Sequence, residues 1–562
     1  MSKGVKTGDN MRSGGQLLVD ALVANGVDMA FCVPGESYLT ALDALHDAPS
    51  IDLLTCRQEG GAAMMADAYG KLTGRPGVCF VTRGPGATNA SAGVHIAFQD
   101  STPMILFVGQ VGRSMRDREA FQEIDYRRMF GQMAKWIAEI DRAERVAEYV
   151  SHAFHVSMSG RPGPVVLALP EDMLDERAPA ISLAPAHRIQ PAPSPAAMAE
   201  FRDRLARAEH PLFVLGGNFW TQAGVDDIRA FAEANHLPIS CAFRYQHLFD
   251  NEHPNYAGDV GIGINPKLAK RVKEADLLVA MGPRLGEMTT SGYTLLDIPM
   301  PKQGLVHVHP GAEELGSVYR PVMAINAGMD EFAAALRAME PVHGPGWAAD
   351  TKTAHADYLA WSEPTQVPGP VNVGEVIKTL RGLLPADAIV TNGAGNFAAF
   401  LHRFFRYKDF GTQLAPTSGS MGYGVPAGIA AKRIRPGSVV VTLAGDGDFM
   451  MTGQELATAA HHGIQPIIVV VNNGMYGTIR MHQEKHFPGR IVATELTNPD
   501  FQLLARAYGA HAELVEKTKD FEAAFARASA SGKPALIELK VDPEAITPTA
   551  TLKGLREAAL KG

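Results

Sequence analysis

The sequence predicts an α/β protein made of doubly wound parallel sheets, and three observations support this prediction. Amphipathic helical patterns alternate with short apolar runs along the whole chain, which is typical of strand–helix–strand units. Several apolar runs end in Gly, Asn or Asp, as expected at the carboxyl ends of strands, where open parallel sheets bind ligands. The chain has 562 residues, 46% hydrophobic and 20% charged, enough for about three or four cores of roughly 150 residues each.

Two proline-rich stretches divide the chain. They cover about residues 178–198 and 340–372, and we interpret both as linkers because clustered proline lacks backbone donors and resists regular structure. The segments between them are similar in length, and each can form its own core. The predicted division is 12–180, 190–340 and 370–545, followed by a short polar tail at 546–562.

The first segment begins with a helix. Residues 14–27 have apolar side chains at helical spacing, and residues 29–35 form a strand that ends in a turn. The next strand candidate, Ile51–Cys56, leads into a helix over residues 57–74, whose small side chains suit close packing. Val78–Thr82 is a further strand, and the glycine-rich turn after it opens another helix.

The third segment repeats this arrangement. Strands rich in β-branched residues lie within 388–396, 438–449 and 466–477, and each ends in Gly, Asn or Asp. The carboxyl ends of these strands are therefore the predicted place for a ligand.

Charge and hydropathy exclude two classes of partner. Lys and Arg number 52 against 60 Asp and Glu, a net charge of -8, so no basic field is expected to attract nucleic acid or an anionic membrane surface. No apolar run approaches the roughly 18 residues that a membrane-spanning helix needs. We expect neither nucleic acid nor a membrane as a partner.

The cysteines and the N-terminus indicate a cytoplasmic protein. Cys32, Cys56, Cys79 and Cys241 have no CxxC spacing and are too few for a disulfide scaffold, so we expect reduced, mostly buried thiols. The first residues, MSKGVKTGDNMRSGG, are polar and lack the apolar core of a signal peptide.

Two polar groups in the third segment predict a cation site. Gly445-Asp446-Gly447 follows a strand and opens a helix, and Asn473 follows the next strand. Glycines there let the backbone approach a phosphate, although the same three residues also suit an ordinary β-turn. A carboxylate and an amide oxygen from neighbouring strand ends form an oxygen-only site suited to Mg²⁺.

Several motifs together resemble one family. They are GDG followed by NN, RQEGGAAMMADAYG, GPGATN, GQV, AFQE and GSMGYGVPAGIAA. With these motifs the chain resembles the thiamine diphosphate-dependent enzymes, in the acetolactate synthase-like (large, catalytic subunit) branch, over almost all of residues 12–545. The resemblance implies three Rossmann-like domains, in the order pyrimidine-binding, central and diphosphate-binding, with thiamine diphosphate and Mg²⁺ as cofactors.

The resemblance assigns most cofactor contacts to the third segment. Asp446, the Asn473 side chain and the backbone carbonyl of Met475 would ligate Mg²⁺, and Gly447 and Asp448 would begin the backbone cradle of the diphosphate. The other implied cofactor-binding residues are Gly35, Glu59, Ala394, Gly395, Asn396, Gly419, Met421, Gly445, Tyr476 and Gly477.

Some of these residues have a more specific implied role. Met421 would bend the cofactor into a V shape, and the Gly419 carbonyl would accept a hydrogen bond from its exocyclic amine. The stretch from Ala394 to Asn396 departs from the family branch, which more often has Gly-Gln-His there.

Glu59 is the implied catalytic residue. The family's acid bonds N1′ of the aminopyrimidine, which promotes loss of the C2 proton. From local sequence alone, Glu59 also suits the cap of the helix that follows it. Because the family assembles this site between subunits, the resemblance implies a homodimer or a dimer of dimers, and it leaves open whether a regulatory subunit binds.

The implied substrate pocket contains Gln110, Phe121 and Gln122, with two departures from the biosynthetic synthases. His482 stands where they typically carry Trp, and Glu36 stands where they carry a second Gly. We expect Glu36 and His482 to form a charge pair at the pocket, although Glu36 also suits a solvent-exposed or helix-capping position.

The implied reaction is decarboxylation of a 2-oxo acid followed by ligation to a second carbonyl, with 2-oxo acids and aldehydes as substrates. A non-ligating decarboxylase or another thiamine-dependent C–C lyase stays open, as does a catalytically silent homologue. His461 and His462 are interpreted as structural. Arg284 matches a flavin-binding position, but the residues after it differ, so we expect a central domain without FAD.

Overall fold

The computed structural model describes residues 11–561. Within them the chain is α/β, with three six-stranded parallel sheets and one two-stranded sheet, which confirms the predicted fold class. It forms two compact units, one ending at Ile189 and one beginning at Gln190. The first ten residues, on which the expectation about a signal peptide mostly depends, and Gly562 lie outside the described residues. No helix in the described part of the chain is both long and apolar enough to cross a membrane.

The first unit contains one six-stranded sheet and the two-stranded sheet. Its elements are β1 Met11–Ser13, α1 Gly14–Ala24, β2 Met29–Cys32, α2 Leu39–His46, β3 Asp52–Thr55, α3 Glu59–Thr73, β4 Gly77–Val81, α4 Pro85–Asp100, β5 Met104–Gln110, α5 Tyr126–Phe130, β6 Trp136–Glu139, α6 Val146–Met158, β7 Pro164–Pro170, α7 Glu171–Asp175 and β8 Arg177–Pro179. Its parallel sheet has the order β3-β2-β4-β5-β7-β6. The chain goes from β2 to β3 and then to β4 on the other side of β2, so the strand order reverses between β2 and β4.

The central strands of this sheet are buried on both faces, as parallel sheets require. Phe80 and Phe107 are fully buried on neighbouring strands, with ring centroids 4.8 Å apart. The first helix begins with a capping box, in which Ser13 and Gln16 exchange side chain to backbone hydrogen bonds. The four cysteines are buried and free, as predicted.

The second unit begins with the central sheet. Its elements are α8 Pro195–Arg207, β9 Pro211–Leu215, α9 Gln222–Asn235, β10 Ile239–Cys241, β11 Tyr256–Asp259, α10 Pro266–Glu274, β12 Leu277–Met281, β13 Gly304–His309, β14 Met323–Asn326, α11 Met329–Arg337 and α12 Trp347–Trp361. The sheet has the order β11-β10-β9-β12-β13-β14.

The same unit continues with the C-terminal sheet. Its elements are α13 Val373–Leu383, β15 Ile389–Asn392, α14 Asn396–Phe404, β16 Gln413–Leu414, α15 Gly424–Ile434, β17 Val440–Gly445, α16 Asp446–Thr452, α17 Glu455–His461, β18 Ile467–Asn472, α18 Gly477–His486, α19 Phe501–Ala507, β19 His511–Val515, α20 Phe521–Ala530, β20 Ala535–Lys540 and α21 Leu552–Lys561. The order β16-β15-β17-β18-β20-β19 reverses between β15 and β17.

A buried arginine joins the two sheets of the second unit. Arg244 is 6% exposed and donates to the carbonyl of Pro416 and, at 3.1 Å, to the carbonyl of Gly393. These carbonyls belong to loops of the C-terminal sheet, one of which directly follows β15. The central sheet therefore holds the loops at the edge of its neighbour.

The linker interpretation of residues 340–372 is wrong in its middle. Residues 180–194 contain neither helix nor strand, as expected, but α12 occupies the centre of the second stretch. Trp347 and Tyr358 on this helix are buried in the core of the central sheet, and the Trp347 indole donates to the Ala208 carbonyl at 3.2 Å. Proline at both flanks ends the helix without preventing it. The predicted domain boundaries themselves stay predictions.

The polar tail is also more ordered than its composition suggests. Its last described residues form α21, and Arg556 donates to Glu484 on α18. Glu484 is fully buried and accepts from Arg480 as well, so the tail is attached through a shared carboxylate.

Replacing Trp347 tests the structural role of α12. We expect Trp347→Ala to lower the free energy of unfolding by about 3–5 kcal/mol, because it removes a buried ring and leaves a cavity. Urea denaturation followed by circular dichroism measures this. Lys352→Ala, an exposed change on the same helix, should stay within about 0.5 kcal/mol of the wild type; equal midpoints for all three proteins would contradict the assignment of α12 to the core.

Candidate active site

The third sheet carries one cavity at the point where its strand order reverses. The cavity measures about 260 Å³, and the turns after β15 and β17 form part of its wall, as expected for a ligand site in an open parallel sheet. All the residues predicted for the cofactor or metal in this segment line it: Ala394, Gly395, Asn396, Gly419, Met421, Gly445, Asp446, Gly447, Asp448, Asn473, Met475, Tyr476 and Gly477. The sequence prediction missed other apolar residues of the lining, which include Val373, Phe397, Phe400, Val471, Val541 and Ile546.

Two of the glycines are required by close contacts. A Cβ on Gly445 would lie 2.9 Å from the Phe397 ring, and one on Gly447 would lie 2.6 Å from the Tyr476 ring. Real Cβ atoms do not approach other atoms that closely. The GDG turn is therefore packed against two aromatic rings and presents its backbone to the cavity.

Asp446 is buried at the start of α16 with three N–H donors. Its Oδ1 accepts from Gly447 at 2.9 Å, and its Oδ2 accepts from Gly474 at 2.8 Å and from the Asn498 amide at 2.7 Å. Burial raises the pKa of Asp446, and these hydrogen bonds oppose that shift. A carboxylate has about four acceptor positions, so one remains for a cation.

Asn498 is a residue that the sequence prediction missed. Its amide nitrogen lies between Asp446 Oδ2 and Asn472 Oδ1, which is 3.0 Å away. Asn472 in turn donates to the buried Glu538 at 2.6 Å. In sequence, Asn498 precedes a proline and is typical of a turn, so no local pattern distinguishes it from a solvent-exposed loop residue.

Asp448 contributes through its side chain, whereas the prediction assigned it to a backbone cradle. Its Oδ1 accepts from the backbone N–H of Ala394 at 3.1 Å and of Gly422 at 2.8 Å. Its Oδ2 is buried and has no hydrogen-bond partner among residues 11–561. Burial raises the pKa of Asp448 to about 7. One oxygen thus joins the loop after β15 and the loop before α15 to the GDG turn.

The remaining polar groups of this wall fix the loop after β18. Asn473 Oδ1 accepts from the Met475 N–H at 3.2 Å, and Met475 pairs as an isolated antiparallel bridge with Glu495. Asn396 accepts from the Thr478 hydroxyl at 2.9 Å. The amide of Asn396 is therefore turned toward α18, which its predicted role as a diphosphate contact did not anticipate.

In the first unit, Glu59 lies at the first turn of α3 but does not cap it. The side chain of Gln58 is the cap and accepts from the Gly61 N–H at 3.0 Å. Glu59 Oε2 instead accepts from the Asn89 amide at 2.9 Å. The capping alternative is thus wrong, and Glu59 is oriented by the GPGATN motif.

Glu36 has an ion partner within the first unit. It is exposed and lies 3.3 Å from Arg83, a buried residue of the turn after β4 that the prediction did not include. The expected charge pair with His482, a residue of the second unit, stays a prediction. Gly35, just before it, lies against Thr82, because a Cβ on Gly35 would be 2.3 Å from Thr82 Cβ.

The side chain of Gln110 makes two hydrogen bonds to the backbone. It is 4% exposed, donates to the Ile124 carbonyl at 3.0 Å and accepts from the Val111 N–H at 2.9 Å. It therefore supports the loop that carries Phe121 and Gln122. Phe121 is 71% exposed, and Gln122 packs beside Gly84 in the turn after β4.

The histidines on the C-terminal helices do not line the cavity. His482 is exposed on α18, and burial together with the neighbouring Lys485 and His486 lowers its pKa. His461 ends α17 and its ring lies 4.7 Å from that of His462. In the central sheet, Arg284 pairs with Glu314 at 3.3 Å; the expectation about FAD stays a prediction.

The comparisons with known proteins agree with this geometry. The descriptions of the matching family models are thiamine pyrophosphate enzyme, N-terminal TPP binding domain, over residues 12–129; central domain, over 198–336; and C-terminal TPP binding domain, over 393–539. The chain therefore belongs to the thiamine pyrophosphate enzymes, and its cavity lies in the C-terminal binding domain of that family.

Among its relatives are acetolactate synthases. The chain is 31% identical to the acetolactate synthase isozyme 2 large subunit of Escherichia coli, covering 94% of this chain and 96% of that protein. It is 32% identical to the acetolactate synthase large subunit of Parasynechococcus marenigrum, covering 94% and 87%. It is 27% identical to the mitochondrial acetolactate synthase catalytic subunit of Saccharomyces cerevisiae, covering 94% and 81%. The protein is a thiamine diphosphate-dependent enzyme related to acetolactate synthase.

Replacing Asp448 tests whether one carboxylate organises the cofactor loops. Asp448→Ala leaves the buried N–H of Gly422 and the partly buried N–H of Ala394 without their acceptor. A buried donor left unsatisfied costs about 1–3 kcal/mol, so we expect thiamine diphosphate to bind at least tenfold more weakly. Asp448→Asn keeps an oxygen for both N–H groups and should bind within about threefold of the wild type. Isothermal titration of the cofactor-free protein measures both; wild-type affinity in Asp448→Ala would disprove this role.

Proposed function

We propose that the protein decarboxylates a 2-oxo acid such as pyruvate and ligates the remaining fragment to a second carbonyl compound. The observation that carries this proposal is a pair of sites at the carboxyl ends of parallel strands, one in each unit. Glu59 lies at the edge of the first sheet, and Asp446 and the GDG turn lie at the edge of the third. The names of the relatives support ligation. A non-ligating decarboxylase is the alternative, because Glu36 and His482 depart from the pattern of the biosynthetic synthases.

The residues present fit thiamine diphosphate and Mg²⁺. When bound, thiamine diphosphate supplies a nucleophilic carbon and accepts the electron pair released with CO₂. Asp446, the Asn473 side chain and the Met475 carbonyl would provide oxygen ligands to Mg²⁺. The glycine backbone of the GDG turn would approach the diphosphate without steric hindrance, and the apolar wall of the cavity would exclude water.

Glu59 would act on a proton. Its Oε2 is fixed by Asn89, so the carboxylate has a defined orientation and keeps acceptor positions for a ligand N–H. A carboxylate in this position would hold a proton at N1′ of the bound cofactor and so support the proton transfer that the cofactor's chemistry needs. Met421, exposed to the cavity beside Gly419, would position the cofactor by contact.

The proposed assembly is a homodimer or a dimer of dimers in the cytoplasm. This follows from the family resemblance, in which pyrimidine-binding and diphosphate-binding domains of different subunits share one cofactor. The proposed small-molecule partners are 2-oxo acids and aldehydes.

Product analysis tests the reaction. The enzyme loaded with thiamine diphosphate and Mg²⁺ is incubated with pyruvate, and CO₂ and ligation products are measured by mass spectrometry; we expect both.

Glu59→Gln should bind the cofactor but slow deuterium exchange at its C2 position by about 10²- to 10⁴-fold, the scale of a positioned acid or base. Thr88→Ser, a change near Asn89 on α4, is the control. Release of CO₂ without ligation would favour the alternative, and unchanged exchange in Glu59→Gln would assign the proton transfer to another group.

Asn498 provides a test of the metal site. Because it orients Asp446, we expect Asn498→Ala to weaken Mg²⁺ binding at fixed thiamine diphosphate by about 10- to 100-fold, as is typical when a partner of a metal ligand is removed. Titration of Mg²⁺ with calorimetric detection measures this. Asn326→Ala removes an amide that donates to two carbonyls in the central sheet and should leave Mg²⁺ affinity unchanged. Equal affinities for all three proteins would contradict the assignment.

A further inference from the structure

A buried arginine lies where the strand order of the first sheet reverses. Arg83 follows β4 and Glu36 follows β2, and these neighbouring strands flank the reversal. The carboxyl ends of such strands form the crevice in which open α/β sheets bind ligands. The Arg83 side chain is only 9% exposed, and none of the assigned cofactor contacts uses it.

Arg83 has three partners along this edge. Its guanidinium donates to Glu36 Oε1 at 3.3 Å, to Glu171 Oε2 at 3.0 Å and to the Phe121 carbonyl at 3.2 Å. One positive charge therefore meets two carboxylates, and the cluster keeps one net negative charge. The Glu36 side chain is 66% exposed and that of Glu171 39%, so Glu36 is the more accessible charge.

The cluster is close to Glu59 because both flank Thr82. A Cβ on Gly35, the residue before Glu36, would lie 2.3 Å from Thr82 Cβ. A Cβ on Gly86 would lie 2.9 Å from Thr82 Cγ2 and 3.5 Å from Glu59 Oε1. The Thr82 side chain and the Gly86 backbone thus lie between the Glu36 turn and the carboxylate that we assign to catalysis.

The turn that carries Glu36 is also fixed in place. The next residue, Ser37, is fully buried, and its hydroxyl bonds Thr82 Oγ1 at 2.9 Å and accepts from the Arg83 N–H at 3.2 Å. Glu36 therefore projects from a rigid segment, and its charge has a defined position relative to Glu59.

We propose that Glu36, paired with Arg83, selects for an uncharged acceptor, so that the decarboxylated fragment is joined to an aldehyde in preference to a second 2-oxo acid. This inference rests on the proposed function. A fixed negative charge close to Glu59 would repel an incoming carboxylate but not an uncharged aldehyde. Because Arg83 is shared with Glu171, it only partly compensates the Glu36 charge.

The reaction balances without a further reagent. The bond between the keto carbon and the carboxylate of the 2-oxo acid breaks and CO₂ leaves. A new bond joins that keto carbon to the aldehyde carbon, and the aldehyde oxygen takes up one proton from solvent. The product is a 2-hydroxy ketone, and nothing is oxidised or reduced overall.

Competition between two matched acceptors tests the inference. The loaded enzyme receives pyruvate as donor with equal concentrations of propanal and 2-oxobutyrate, which share an ethyl group and differ by a carboxylate. Mass spectrometry quantifies the two ligation products. The wild type should favour the propanal product, and Glu36→Gln should shift the ratio toward the 2-oxobutyrate product by about tenfold, equivalent to about 1.4 kcal/mol.

Two variants separate charge from shape and from general surface effects. Glu36→Asp keeps the charge and should keep the wild-type ratio. Glu148→Gln removes a carboxylate on α6 that is 63% exposed and paired with Arg145 at 2.7 Å. This variant should also keep the wild-type ratio. Ligation with a ratio that Glu36→Gln does not move, or a wild type that prefers 2-oxobutyrate, overturns this inference alone. Release of CO₂ without any ligation overturns the ligation step of the proposed function and this inference together.

Discussion

Oδ1 of Asp448 is the atom on which the architecture of the C-terminal cavity depends. It accepts N–H groups from two loops that are distant in sequence, while its own backbone belongs to the turn after β17. Parallel strands bring the starts of these loops to one edge of the sheet, but they do not fix the loops to one another. The buried carboxylate provides that connection, and Asp446 beside it is then held by three donors with one acceptor position left for a ligand.

In the first sheet, the turns at the strand-order reversal are connected by an ion pair. Its reversal lies between β2 and β4, and the turns after these strands are joined by Ser37 and by Arg83 with Glu36. The carboxylates that line the cavity on the third sheet, Asp446 and Asp448, are buried, whereas this edge presents an accessible carboxylate. The two edges are thus chemically different, as expected if one holds a cofactor and the other meets substrates.

The sequence predicts the strands and the residues at their carboxyl ends well, since a buried parallel strand has a distinct apolar pattern and its end is marked by Gly, Asn or Asp. Asp446 could be found in this way, and the family motifs added Glu59 and further residues of the cavity wall, although several of its apolar residues were missed. Asn498 and Arg83 could not, because their importance comes from partners distant in sequence, whereas their local sequence suits a surface loop.

The same limit applies to α12. Its flanking prolines indicate a linker, and only the packing of Trp347 and Tyr358 against the central core shows why the chain is helical between them.

Arg244 gives the central sheet a structural role at the edge of its neighbour. It follows β10 of the central sheet, yet its guanidinium holds the carbonyls of Gly393 and Pro416 in loops of the C-terminal sheet. These loops follow β15 and β16, and loss of the arginine would release both of them. The central domain therefore helps to shape the neighbouring sheet whether or not it binds a ligand of its own.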